Sequence, residues 1–297
     1  GVTKNLKTNK TDAESTEVQS VKTFNTDGFT LGTSGDYNGS SDAHVAWQWK
    51  CNGGTETTNQ SESGSQIACS VQANTTAGFS ITTYTGTGGT GHTFLHGLGS
   101  APAFFIIKRR SGTEDWLVYH HKNTSAPETD HLLLNTTDGT SDSDTRFQDT
   151  APTSSSIYIG NNAVVNADAS TYVCYAFSPI QGYSKFNKYV GNGNINGPFV
   201  PTGFKPQLII IKDTSNTRNW AMADIDLVTG GNGGVTNALF PNITDAKDAN
   251  VRIDFLCNGF KIRTTSTTWN NNNSNYIYMA WAKSPFVSSE GTPTTAR

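Results

Sequence analysis

The sequence predicts an all-β fold of tandem antiparallel β-sandwich domains of the jelly-roll kind, and three observations carry that prediction. The first is composition: apolar residues are 34% of the 297 and charged residues 15%, with Thr, Ser, Asn and 29 Gly filling the difference. Thr is β-branched and stiff at χ1, while Asn, Ser and Asp bond their own backbone and nucleate turns. The second is an absence, since no long run of Ala, Leu, Glu and Lys raises helix propensity. The third is an internal repeat: segments beginning at Gly78 and Gly182 match in order at a constant spacing of about 104 residues. Pro102 aligns with Pro206, Lys108 with Lys212 and Trp116 with Trp220, and YVCYAF after Thr171 aligns with YIYMAW after Asn275.

Taken in order, residues 1–20 are polar and read as an extended arm or linker. Residues 21–74 hold a partial copy. Its DGFTLGTSGDYNGSSDAHVAWQWK, from Asp27, matches the closing half of the full copies and reads as a β-hairpin and loop. The full copies occupy 75–181 and 182–288. Each opens with an aromatic strand (Tyr84, Tyr189) and a Gly-rich turn, then a wholly apolar run (AFFIIK, QLIIIK). That run is too short for a helix in this setting and fits a strand buried on both faces. A Trp-bearing strand follows (Trp116 to Tyr119, Trp220 to Met222), then a polar middle, then strand, Asn/Gly/Ser loop and strand. About six short strands at hairpin spacing per copy is the pattern of a sandwich or jelly roll. The tail, residues 289–297, is polar like the arm.

Charge and hydropathy exclude several classes. Net charge is −3 and the densest basic cluster is only Lys108, Arg109 and Arg110, so no nucleic-acid partner is expected. No apolar stretch approaches the ~18 residues of a membrane span, and no membrane insertion is expected. The 15 Phe, 10 Tyr and 6 Trp exceed what a disordered chain carries. The opening Gly-Val-Thr-Lys, without Met, reads as a processed or excised piece of a longer precursor. Cys51 and Cys69 flank a polar loop and could close it as a disulfide, the alternative being two free thiols. Cys174 and Cys257 sit in apolar runs and read as small buried hydrophobes.

The repeat acts as an internal control on candidate sites. Trp116 and Trp220 recur in both copies and read as core packing, and Lys108 and Lys212 as snorkelling at a strand edge. His92, His96, His120, His121 and His131 occur in the first copy without counterparts in the second. With Asp130 they offer imidazole and carboxylate donors, but in no fixed ligand geometry, so no metal site is expected. Glu114, Asp115 and Glu128 lie in a polar region where solvated carboxylates are ordinary. No Gly-x-Ser-x-Gly elbow stands in a strand–turn–helix context, and no catalytic residue is assigned. Asn/Asp loops (Asp36 and Asn38; Asn166 and Asp168; Asn270 to Asn273) could supply oxygen to calcium, the one cofactor candidate, but Asn also tolerates left-handed turns. Trp269 is an aromatic on such a loop with no partner in the other copies. Trp269, His120, His121 and His131 are therefore the candidate glycan- or partner-contact residues.

The phrases FNTDGFTLGTSGDYNGSSDAHVAWQWK, VQANTTAGFSITTYTGTGGTGHTFLHGLGSAPAFFIIKRR and GYSKFNKYVGNGNINGPFVPTGFKPQLIIIK resemble repeat-built tail-fibre-like or appendage proteins of marine bacteriophages. The resemblance covers almost the whole chain. It implies a concanavalin-like β-sandwich and a place on the virion exterior, outside the cell. In such proteins the segment resembling the start of this chain lies inside a longer one. The function expected on this basis is a non-enzymatic virion appendage that attaches to host-surface glycans. The alternative is a purely structural subunit that self-assembles into a fibre, filament or capsid decoration, and a third reading is a polysaccharide depolymerase. Expected partners are other virion subunits, a homo-oligomer among them, and a host-cell glycan.

Overall fold

The structure is a computed structural model that describes residues 2–52 and 55–285, so the polar tail at 289–297 lies outside the described residues. At the N-terminus β1 (Lys4–Asn5) pairs with β2 (Ser15–Thr16), and β3 (Val21–Phe24) forms a hairpin with β4 (Phe29–Leu31). The single-turn helix α1 (Gly35–Asn38) leads into a stretch without regular secondary structure through residue 52. Next come β5 (Thr58–Gln60), β6 (Cys69–Asn74), β7 (Phe79–Thr85), β8 (His92–Leu95), β9 (Phe104–Arg109), β10 (Trp116–His120), β11 (Asp130–Leu133) and β12 (Ser141–Asp142). Helix α2 (Asp144–Phe147), β13 (Ser156–Ile159), α3 (Ala163–Asn166) and β14 (Thr171–Phe177) close this part. The remainder holds β15 (Ser184–Val190), β16 (Phe199–Pro201), β17 (Pro206–Asp213), β18 (Ala221–Asp224), β19 (Ile253–Leu256), β20 (Gly259–Ile262), α4 (Thr267–Asn270) and β21 (Asn275–Ala282).

The protein is all-β, with antiparallel sheets and only single-turn helices among the described residues. An eight-stranded sheet runs β12-β11-β10-β9-β14-β7-β6-β5 and a small sheet pairs β13 with β8. A four-stranded sheet runs β15-β21-β17-β18 and a small sheet runs β16-β20-β19. Within the eight, the order β7-β14-β9-β10 matches β15-β21-β17-β18 strand for strand.

Period-two alternation explains the layering, because successive side chains leave a strand on opposite faces. On β9, Phe105 and Ile107 join Tyr84, Phe94, Ile157 and Tyr172 in a core between the large sheet and β8-β13. On β17, Ile209 and Ile211 join Val200, Phe260, Trp269 and Tyr276 in the matching core of the second part. The alternate residues are buried too. Phe104, Val118, Phe177, Phe186, Met279 and Trp281 belong to a third core, formed where the two large sheets meet face to face. Phe104 stacks on Phe186 with centroids 5.9 Å apart, and Trp281 meets Phe177 edge-on at 5.6 Å. AFFIIK and QLIIIK thus form central strands buried on both sides, which is why they show no polar alternation.

Three expectations change here. The arm at 1–20 is docked rather than extended: Glu14 pairs with Arg110 at 2.8 Å, and the Trp116 indole donates to the carbonyls of Lys7 and Lys10, each at 3.1 Å. Lys108 and Lys212 do not snorkel but are fully buried. Their ammonium groups donate to main-chain carbonyls: Thr11 and Glu114 for Lys108, and Thr137, Asp213 and Asn216 for Lys212. A buried charge persists only where such acceptors replace water. Burial nonetheless pushes the Lys212 ammonium down to about 8. Cys174 is buried as expected, whereas Cys257 is exposed, because it sits in the tight β19–β20 turn.

Candidate functional site

The structure places most of the predicted contact residues inside the protein. Trp269 is fully buried on α4, filling the second core, and its carbonyl accepts from the Tyr189 hydroxyl at 2.8 Å. Val165 holds its position in the first copy, with the Tyr84 hydroxyl on its carbonyl at 2.7 Å, and the aromatic Tyr37 holds it in the partial copy. Trp269 therefore presents no face for a sugar. His120 is buried between the large sheets, and its Nε2 lies 3.3 Å from the Tyr278 carbonyl. His121 Nε2 lies 2.9 Å from the carbonyl of Phe186, so both histidines bond across the sheet interface. Burial drives His120 down to about 3, with the neighbouring His121 adding to the effect. His131 is buried as well, and desolvation with the Arg146 charge holds it near 4. These imidazoles are neutral structural groups rather than surface contacts.

Cys51 and Cys69 are free thiols that belong to different layers. Cys69 points into the core beneath β8-β13, while Cys51 packs toward the interface of the large sheets and donates to the Gln72 carbonyl at 2.7 Å. The strand between them therefore keeps the sulfurs apart. Among the described residues no three His, Cys, Asp or Glu side chains converge as a metal site. Two of the loop amides offered to calcium are spent on the backbone: the Oδ1 atoms of Asn166 and Asn270 accept from Thr87 N and Asn192 N, each at 2.8 Å.

Those two asparagines lead to the feature that stands out. Three stretches share one local path: β13–α3–β14, β20–α4–β21, and β4–α1 followed by residues 43–50. Each single-turn helix follows Asn162, Ser266 or Ser34 at its N-cap and ends on Asn166, Asn270 or Asn38. Three residues later each has a non-glycine in the left-handed region, Ala169 (φ 54°), Asn273 (φ 58°) or Ser41 (φ 68°). The environments then diverge. Asn166 and Asn270 are fully buried, and their Nδ2 groups donate to Gly89 O and Asn194 O, each at 2.8 Å. Asn270 also donates to Thr264 O at 2.9 Å, and Asn38 keeps only the counterpart of that bond, to Gly32 O at 2.9 Å. Asn38 itself is exposed, and no described residue donates to its Oδ1.

The following segment diverges in the same sense. β14 is paired on both sides by β7 and β9, and β21 by β15 and β17. Residues 43–50 form no backbone–backbone hydrogen bond with any described residue. They are held by side chains instead: Trp47 Nε1 donates to Asp224 Oδ2 at 2.7 Å, and Trp49 meets Phe177 and Trp281 edge-on. His44, Ala46 and Gln48, in the positions of Tyr276, Tyr278 and Ala280, are exposed. The β3–β4 hairpin matches β19–β20, whose Phe255 and Ile262 are 4% and 0% exposed. Their counterparts Phe24 and Leu31 are 71% and 37% exposed. Sequence comparison finds this partial copy, but pairing of its last strand is invisible to it, because the pattern of AHVAWQWK is that of a paired strand.

Fold and surface together define an all-β protein of face-packed antiparallel sheets, beside which residues 43–50 pair with no backbone among the described residues. The chain belongs to the family described as a domain of unknown function, DUF7483, whose profile matches residues 1–285. No curated protein and no solved structure matches it.

Proposed function

We propose that this chain is a non-enzymatic, structural subunit of a tail-fibre-like appendage on the exterior of a bacteriophage virion. In this reading it comprises two full copies and one partial copy of a concanavalin- or jelly-roll-like sandwich, and it assembles with other virion subunits through the partial copy. The phage setting rests on the sequence resemblance. The observation that carries the assembly role is the open face of residues 21–50, where Phe24 and Leu31 are exposed beside a segment that pairs with no backbone among the described residues. Unpaired edges recruit further strands, and proteins that do not use them cover them. The matching order of β7-β14-β9-β10 and β15-β21-β17-β18 supports the two full copies.

Mass photometry and electron microscopy of the purified chain with its fellow appendage proteins test the assembly role. Oligomers or fibres are expected, and a monomer that joins nothing at any concentration overturns it. A second reading, attachment to host glycans, is favoured by Phe24, whose ring is the most exposed large apolar side chain of the described residues. A glycan array on which Phe24→Ala loses the signal supports it, and a blank array removes it.

A further inference from the structure

We infer that residues 38–49 are an acceptor for one particular kind of partner: an extended strand of a neighbouring subunit ending in Tyr-X-Gly-X-Gly. The inference deepens the assembly reading above and rests on it. The recognition rules come from the chain itself, which makes this contact twice. In both cases the donor strand lies antiparallel to the strand after the helix, with Ser184 opposite Trp281, Phe186 opposite Met279 and Lys188 opposite Ile277 in the second. Beyond the strand the donor turns over the helix-ending Asn. Gly86 N and Gly191 N donate to the carbonyls of Ser170 and Ser274, at 2.7 and 2.9 Å. Thr87 N and Asn192 N donate to the Asn Oδ1, and Gly88 N and Gly193 N to the Asn carbonyl, at 2.8 and 3.0 Å.

Both glycines of the donor are required. A Cβ on Gly86 or Gly191 would overlap the carbonyl oxygen of Ala167 or Asn271. Gly88 and Gly193 have φ of 71° and 64°, in the left-handed region that side chains disfavour. The preceding Tyr sends its hydroxyl to a helix carbonyl in both cases.

Transferred to the partial copy, the register puts the donor's Ser, aromatic and Lys positions opposite Trp49, Trp47 and Val45. The three terminal N–H groups then meet the Asp42 carbonyl, Asn38 Oδ1 and the Asn38 carbonyl. All three acceptors are without a backbone donor among the described residues. The site is continuous with an existing interface, since Trp47 and Trp49 already pack against the core between the large sheets. An added strand extends that layer rather than founding a new one. The donor's aromatic positions would also cover the hairpin face carrying Phe24 and Leu31, as Tyr189 joins Phe255 and Ile262 in the second core.

The test uses the whole chain and a synthetic peptide of residues 182–195, GYSKFNKYVGNGNI. Fluorescence anisotropy should show saturable binding, and hydrogen exchange should slow at least tenfold at the amides of residues 43–49. Replacing the first glycine of the peptide's Gly-Asn-Gly by Ala should weaken binding at least tenfold, as should Asn38→Ala in the protein. The peptide variant leaves the protein's folding untouched. Absence of saturable binding overturns the inference, as does equal binding of the Ala peptide. Oligomers that form while the peptide fails to bind remove this acceptor and leave the structural role standing. A homodimer that excess peptide does not dissociate assigns the edge to a different surface of a second copy and likewise overturns it.

Discussion

Mild acid should destabilise this protein well above the pH at which its carboxylates protonate. His120 and His131 are buried and neutral, held near 3 and 4 in the folded chain, against about 6.5 for an unfolded His. Between those values the unfolded state binds more protons than the folded state, so stability falls as pH falls from 6.5 toward 4 and then 3. At pH 5 each unfolded His is favoured by RT ln(1 + 10^1.5), about 2 kcal/mol, while the folded forms gain almost nothing. The pair therefore removes about 4 kcal/mol between pH 8 and pH 5, a large share of a typical 5–15 kcal/mol. His96 and His121 are lowered by burial and act in the same direction. The depressed carboxyls of Glu14, Asp36 and Asp226 lose their pairing only below about 4.5, so they barely contribute at pH 5. Urea unfolding at both pH values, followed by tryptophan emission, measures the difference. The His120→Asn/His131→Asn variant should lose most of the pH dependence even if it starts from a lower stability. A wild-type difference under about 1 kcal/mol would refute the claim that these imidazoles stay buried and neutral.

Other expectations are simpler to check. Trp269→Ala should cost roughly 3–5 kcal/mol, read by calorimetry or denaturant midpoint, because it empties a packed core rather than a sugar platform. With a thiol reagent the native protein should react fast at Cys257 alone, and four thiols should titrate after unfolding without reductant. Lys108→Met removes the donor to Thr11 and should free the N-terminal arm, read as faster proteolytic cleavage within residues 1–20 while the remainder stays resistant.

Much of this fold was legible because β structure writes itself at period two. AFFIIK and QLIIIK announce strands covered on both sides, and both are central. What covers their second face was not legible. Alternation says that a side chain is buried, never against what, so the meeting of the two large sheets had no local signature. The same gap conceals the burial of His120 and His121, whereas Trp269 simply fills the second core. A residue present in one copy and absent from the other looks free for function, as a shared one looks like framework. Two copies packed against each other break that reasoning. Their contact cannot use identical residues on both sides unless it is symmetric. His120 and His121 bond to the carbonyls of Tyr278 and Phe186 with no reciprocal pair, so the asymmetry between copies is spent on joining them.

The partial copy obeys the same rule. Residues freed from a shared framework are informative only where no neighbour explains them, and Trp47 and Trp49 do have a neighbour, the core between the large sheets. Asn38 does not. Its side chain repeats the helix-ending Asn of both full copies, where the amide oxygen receives the Gly-X-Gly turn of the preceding strand and the amide nitrogen of Asn270 also bonds Thr264 O. The turn itself does not require an Asn here, since the left-handed residue is Ser41 rather than Asn38. An Asn that among the described residues bonds Gly32 alone, beside a segment with no described backbone partner, keeps the chemistry of a contact the described chain does not itself make. His120 and His121 close the molecule upon itself, while the shared asparagine is the residue that points outward.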